Sequence, residues 1–349
     1  MNFLQSWCVP LVAWFAALAA SSEPLRVCCT VPSIGSIAQE VGGDRIALTV
    51  FAKGGENPHF LDARPSHVKA LAAADLFVQQ GMELEIGWAP VLLQQCRNAK
   101  VQPGQLGFLD ASVVVTPLEV PTAPVDRSHG DVHPGGNPHY MTDPVNGLKV
   151  ARLLRERFTQ LLPEAADGFA QRCARFEQRL CRALVGDALA DAFPADTVIK
   201  LAELQADGRL AAFLQQQGRS EKLAGWLGVL APYSGTAVIA DHNQWIYFGR
   251  RFGLLFAGYL EPKPGVAPST RHLGELIGAA PAANVKLVFT APGFDPKSAR
   301  FVAEKLGLPL LSLAHEVGAT ATATDYVAMV QFDVEQIGAA LARPRGGGA

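Results

Sequence analysis

The chain has 349 residues, enough for two domains of ordinary size, and its hydrophobic fraction of 49% gives ample material for a core. A formal net charge of −2 excludes the basic footprint expected of a nucleic-acid binder and leaves no electrostatic anchor for anionic lipid.

Residues 1–22 read as a secretory signal. Val9 to Ala20 is an apolar run followed by small residues, and it is too short for a comfortable membrane span. No Lys or Arg precedes the run, which makes the charged segment of this signal weak. No Cys directly follows a small-residue box at the cleavage point, so a lipid anchor on a mature N-terminal Cys is not expected. Among the six cysteines, Cys8 leaves with the signal, and Cys28 and Cys29 are neighbours on one strand facing opposite ways. Cys173 and Cys181 sit about 12 Å apart along one helix, too far to bridge. They read as buried small hydrophobes.

The first half alternates short apolar runs with helical patterns. Leu25–Val31, Ile46–Phe51 and Asp75–Gln79 read as strands, and Gly107–Val115 as further strand-like material. A helix opens at Pro65, where a missing N–H costs nothing, and another covers Leu84–Cys96. Val120–His139 is a loop by its prolines and glycines, and it carries His129 and His133. A helix starts at Asp143-Pro144. Pro163–Phe193 keeps helical periodicity long enough to span about 45 Å, with Gly186 as the candidate interruption.

The second half repeats the alternation: strands at Thr236–Ala240, Leu254–Leu260, Val285–Thr290 and Leu308–Leu313, with helices at Gln244–Phe252, Thr270–Ala279, Pro296–Leu306 and Tyr326–Leu341. This order predicts an α/β protein of two lobes, each with a mostly parallel sheet flanked by helices. The expected division is a signal at 1–22, an N-terminal lobe at 23–162, a linking helix at 163–193, a C-terminal lobe at 194–342 and a disordered tail at 343–349.

Histidines recur where strands run into loops. His59 follows Asn57-Pro58, His139 follows Asn137-Pro138, His242 follows Asp241, and His315 precedes Glu316. Ligands of open α/β sheets bind beyond the carboxyl ends of strands, so these positions can converge between the lobes. Neutral imidazole is the commonest side-chain metal ligand. His59, His139 and His242 are candidate ligands, with His315 or Glu316 as a fourth. Each of the first three has a carboxylate close in sequence (Glu56, Asp143 and Asp241), and each carboxylate is a candidate partner for the other ring nitrogen. His67 reads as structural and His272 as exposed.

Three stretches resemble the cluster A-I solute-binding proteins of ATP-driven zinc and manganese transporters. They are Gly54-Gly55-Glu56-Asn57-Pro58-His59 with Ala63-Arg64-Pro65-Ser66, then Asn137-Pro138-His139-Tyr140 with Asp143-Pro144, then Asp241-His242-Asn243-Gln244-Trp245 with Arg251-Phe252-Gly253-Leu254. The resemblance implies two lobes joined by one long helix, with His59, His139 and His242 as metal ligands. It implies a monomeric, non-enzymatic periplasmic protein that hands a metal ion to a membrane permease. A His-dominated set with few carboxylates favours Zn²⁺ over Mn²⁺, which prefers oxygen. Binding should weaken as protons claim the imidazoles, near pH 6.5 for unperturbed rings. The competing readings are a zinc hydrolase, for which no His-Glu-x-x-His motif is present, and an adhesin stabilised by metal.

Overall fold

The computed structural model describes residues 23–123, 132–263 and 265–343. The expected signal, His129 and all but the first residue of the expected tail lie outside the described residues.

In the first lobe, β1 (Leu25–Cys29), β2 (Ile46–Val50), β3 (Leu76–Gln79) and β4 (Phe108–Asp110) form one parallel sheet in the order β2-β1-β3-β4. Its helices are α1 (Pro32–Gly42), α2 (Pro65–Ala73), α3 (Ala89–Cys96) and α4 (Pro144–Leu161). All four start with proline in the first turn, where no intrahelical N–H is required. There follow α5 (Ala166–Val185), α6 (Asp187–Ala192), α7 (Ala195–Ala206), α8 (Leu210–Gln216) and α9 (Gly225–Leu230). The second sheet repeats the first in the order β6-β5-β7-β8, from β5 (Ala237–Ala240), β6 (Leu255–Tyr259), β7 (Val285–Thr290) and β8 (Leu310–Ser312). It is accompanied by α10 (Ile246–Phe252), α11 (Thr270–Ala279), α12 (Pro296–Leu306) and α13 (Tyr326–Ala342). The central strand β5 is buried at every residue, as a parallel strand covered on both faces must be.

The core has three parts. One cluster under α2 and α3 holds Phe51, Phe77, Trp88 and Leu92, and one under α11 and α12 holds Ile239, Val288 and Val302. The largest is shared: it joins Ile34, Val78 and Leu148 of the first half to Phe176 of α5 and to Phe248, Phe289 and Val334 of the second. A core common to both lobes restricts their relative motion to small shifts, because close-packed interiors resist sliding.

Three sequence expectations are refined here. The long helix is present but shorter than 163–193, and it stops at Gly186, the candidate interruption. A 3₁₀ turn occupies Pro163–Ala165, and α5 ends at Val185 because Gly186 takes φ +82°, where an added Cβ would lie 2.6 Å from that of Ala224. At 20 residues α5 is about 30 Å long. The strand expected at 107–115 stops at Asp110, whose carboxylate accepts the Ser112 N–H at 2.9 Å and turns the chain into a 3₁₀ segment. The helix expected from Leu84 begins only at Ala89. Met82 and Glu83 adopt left-handed φ of 51° and 63°. The Glu85 carboxylate captures the Gln80 and Gly81 N–H groups at 2.7 and 3.1 Å and the Thr30 hydroxyl at 2.6 Å.

Glu85 has a consequence for stability. Burial pushes its carboxyl up from 4.5 to about 7, against the pull of those three donors. Between these values the folded chain holds a proton that the unfolded chain has lost, so stability falls as pH rises. Metal-free parent protein should lose more unfolding free energy from pH 5 to pH 7 than the Glu85→Gln variant, by on the order of 2 kcal/mol. Denaturant titrations at the two pH values measure this, and equal losses would remove Glu85 from the account.

Candidate metal centre

Both lobes have a switch point where the chain reverses direction across the sheet, between β1 and β3 and between β5 and β7. The histidines come from loops at these carboxyl ends. His59 and His139 reach the cleft through the same local device. Asn57 Oδ1 accepts the His59 backbone N–H at 3.0 Å, and Asn137 Oδ1 accepts that of His139 at 3.0 Å. In each Asn-Pro-His stretch the asparagine closes a turn two residues long and the proline fixes the backbone between. Pro58 is further held by Trp88, whose Nε1–H donates to its carbonyl at 2.9 Å, and Pro138 by Gln80 Nε2 at 2.6 Å.

His59, His139 and His242 each bring one ring nitrogen to a common point, with these atoms all within 4.8 Å of one another. The Nε2 atoms of His59 and His139 are 3.0 Å apart. A tetrahedral zinc ion with bonds of 2.0–2.1 Å sets its nitrogens about 3.3 Å from one another, so this cluster is of the right size to close on one ion. The tautomers agree. His139 Nδ1–H donates to Asn137 Oδ1 at 3.0 Å, and the amide is oriented by donating its own hydrogens to the Asn243 carbonyl (2.7 Å) and Glu119 (3.0 Å). His242 Nδ1–H donates to Glu261 Oε2 at 2.7 Å. With Nδ1 protonated in both rings, Nε2 is the lone-pair nitrogen. Burial, and secondarily the neighbouring His242 and His59, hold His139 well below the ordinary histidine range, keeping it in the neutral form a metal requires.

His315 is 5% exposed, and neither of its ring nitrogens makes a hydrogen bond of normal geometry. It lines a small enclosed cavity with His139, Gln80, Thr142 and Gln244. Burial pushes its pKa down to about 4. Glu316 also borders that cavity, but its Oε2 accepts the Ser33 N–H at 2.8 Å and the Ser33 hydroxyl at 2.5 Å. That carboxylate caps the start of α1 from the opposite lobe.

The carboxylates adjacent in sequence do not support the imidazoles. Glu56 accepts the Lys53 N–H at 2.9 Å and pairs with Arg64 at 3.5 Å. Asp143 caps α4 through Val145 N–H and binds Arg251 at 2.8 and 2.9 Å. Asp241 accepts the backbone N–H groups of His242 (2.8 Å) and Ala291 (2.6 Å). A carboxylate beside a turn is claimed first by the free N–H groups of that turn, which are closer than the ring. The actual partners are Asn137, which stood in the sequence motif, and Glu261, just past the end of β6, for which the sequence carries no local signal.

His133 is buried with its ring stacked on His59 (centroids 5.1 Å, 26°), a position that the composition of its loop did not reveal. His67 stacks on Phe51 at 4.7 Å, as a structural histidine. His272, expected exposed, is half-buried with Nε2 2.9 Å from the Tyr259 carbonyl. The five described cysteines are buried and free.

Fold and centre together define a class: two-lobed α/β proteins that present imidazoles from both sheets to the cleft between them. The chain belongs to the family described as zinc-uptake complex component A, periplasmic, whose model matches residues 27–184 and 211–340. It is 34% identical over 95 residues to the high-affinity zinc uptake system protein ZnuA of Paracoccus denitrificans, covering 27% of this chain and 28% of that one. It is 24% identical over 158 residues to the manganese-binding lipoprotein MntA of Halalkalibacterium halodurans, covering 45% and 47%. The chain thus matches half or less of the length of these curated relatives. The crystal structure of a zinc-bound ZnuA deletion mutant superposes with a TM-score of 0.66 at 19% identity, over 92% of this chain and 100% of that one, a likeness of fold.

Proposed function

We propose that this chain captures a transition-metal ion, Zn²⁺ in preference to Mn²⁺, outside the cytoplasmic membrane and delivers it to the permease of an ATP-driven uptake transporter. The ion is cargo, and the chain acts as a monomer without catalysing a reaction. The observation that carries this reading is the convergence of His59, His139 and His242, drawn from both lobes, with ring nitrogens turned to one point. His315 is the fourth ligand in this reading, favoured over Glu316, whose carboxylate is engaged by Ser33. An imidazole set favours zinc over manganese. The zinc-uptake family and the zinc- and manganese-binding relatives support transport of a divalent metal. No helix of the described residues is long and apolar enough to cross a membrane. The hydrolase reading loses support, because Glu56, Asp241 and Glu316, its candidate bases, are all engaged by other donors.

Competitive titration of chelator-stripped protein with Zn²⁺ and Mn²⁺ tests the proposal, beside a variant with His59, His139 and His242 all changed to Ala. Tight one-to-one Zn²⁺ binding that the variant lacks is the expected result. Equal zinc binding by parent and variant would defeat it, and a preference for Mn²⁺ would overturn the choice of metal. Glu261→Gln is expected to weaken zinc binding about 10- to 100-fold by loosening the His242 ring and lowering its basicity. An unchanged dissociation constant would show that Glu261 does not act through His242.

A further inference from the structure

His315 presents a problem of orientation. Two other imidazoles of the centre have polar anchors at Nδ1: His139 is tied to Asn137, and His242 to Glu261. His315 makes no hydrogen bond of normal geometry through either nitrogen, although it is 5% exposed. The Glu56 backbone offers it a polar neighbour, outside normal hydrogen-bond geometry, so packing carries most of the ring's orientation. Among the described residues, Phe294 is the aromatic side chain beside that ring, edge to face with centroids 6.5 Å apart at 81°. The same phenyl ring stacks on the face of His242 at 5.6 Å and 27°. One side chain thus fixes the angle between two imidazoles of the second lobe.

The turn that carries Phe294 is itself set by the first lobe. Phe294 N–H donates to the Ala291 carbonyl at 3.2 Å, closing the turn after β7. Gly293 takes φ +98°, and a Cβ there would lie 2.7 Å from the Gly55 carbonyl, so only glycine lets this turn seat against the loop that leads to His59. The ring is aimed where the two lobes meet.

We propose that Phe294 is a positioning residue that holds His315 for use as the fourth imidazole of the metal centre. The inference rests on the metal-capture reading above and adds that the fourth ligand depends on an aromatic neighbour in place of a hydrogen bond. Aromatic pairs prefer such offset and edge-on arrangements, which resist rotation of either ring.

A double-mutant cycle tests it, with Zn²⁺ competition and the visible absorption of bound Co²⁺ as readouts on Phe294→Ala, His315→Ala and the double variant. Phe294→Ala should weaken zinc binding about tenfold and shift the Co²⁺ spectrum toward that of His315→Ala. In the His315→Ala background the same change should cost less than about twofold. Phe294→Tyr, which keeps the ring, should restore the parent spectrum. Equal cost in both backgrounds would overturn the inference, as would parent-like binding by Phe294→Ala. If Phe294→Ala fails to fold, Phe294→Leu enters the same cycle, since it keeps apolar bulk without the ring. Failure of the parent itself to bind zinc would instead remove the metal-capture reading.

Discussion

Replacing Arg251 with Met should cost about 3–5 kcal/mol of stability in the metal-free protein, the usual result of stripping one partner from a buried ion pair. Arg251 is 2% exposed on α10. Its guanidinium binds both oxygens of Asp143 at 2.8 and 2.9 Å, reaches Glu203 at 3.0 Å and donates to the Ala202 carbonyl. Met preserves much of the stem volume but leaves the Asp143 carboxylate buried without its cation. The pair also has a place in the site, since Asp143 follows the His139 turn and Arg251 lies on the helix after His242. Further bonds tie the same turn to the second half of the chain: Tyr247 donates its hydroxyl to the Asn137 carbonyl at 2.9 Å and Tyr326 to that of Met141 at 2.8 Å. Loss of Arg251 should therefore weaken metal binding as well as the fold. Denaturant unfolding of the stripped variant gives the first number, and a cost under about 1 kcal/mol would mean the pair is no more than a surface-grade contact.

The second large effect is expected at Gly54. A Cβ added there would fall on the backbone of Val317, Gly318 and Ala319, the segment that follows His315-Glu316. Those atoms belong to main chain and cannot rotate aside as a side-chain tip would. Gly54→Ala should destabilise by about 3 kcal/mol, the upper range for overpacking, by forcing apart the loops that bring His59 and His315 together. Metal should then leave faster than from the parent protein, measured by chelator-driven release. By contrast, nothing lies within 4 Å of a Cβ at Gly55, so Gly55→Ala should be tolerated sterically and serves as the control. If the two variants behave alike, close backbone approach at Gly54 is not what holds this seam.

Much of the fold could be read from the chain because its signals are local. The eight strands and most of the helices follow from apolar runs and proline placement, and Asn-Pro-His marks its turn through an asparagine that bonds two residues on. Element ends differ from the pattern where one side chain overrides periodicity: Glu85 unwinds the expected start of α3 and Asp110 ends β4 early. The break of the long helix at Gly186, by contrast, is legible in the sequence as a glycine within the helical run. The same contest explains the misplaced carboxylates. Asp143 and Asp241 are close to histidines in sequence, yet backbone N–H groups and an arginine from across the fold take them first.

The sequence by itself determined that this is a two-sheet α/β chain with histidines at strand ends, because strand period, turn chemistry and residue type are properties of short segments. Only the tertiary structure decided which groups serve those histidines. Glu261 reaches His242 across nineteen positions, and Phe294 and Gly293 meet His315 and Gly55 from separate loops. His133 lies on His59 from a loop whose composition says only that it is a loop. Hydrogen-bond and ring contacts act over a few ångströms, and which distant residues come within that range is fixed by how the two sheets pack, not by any pattern along the chain.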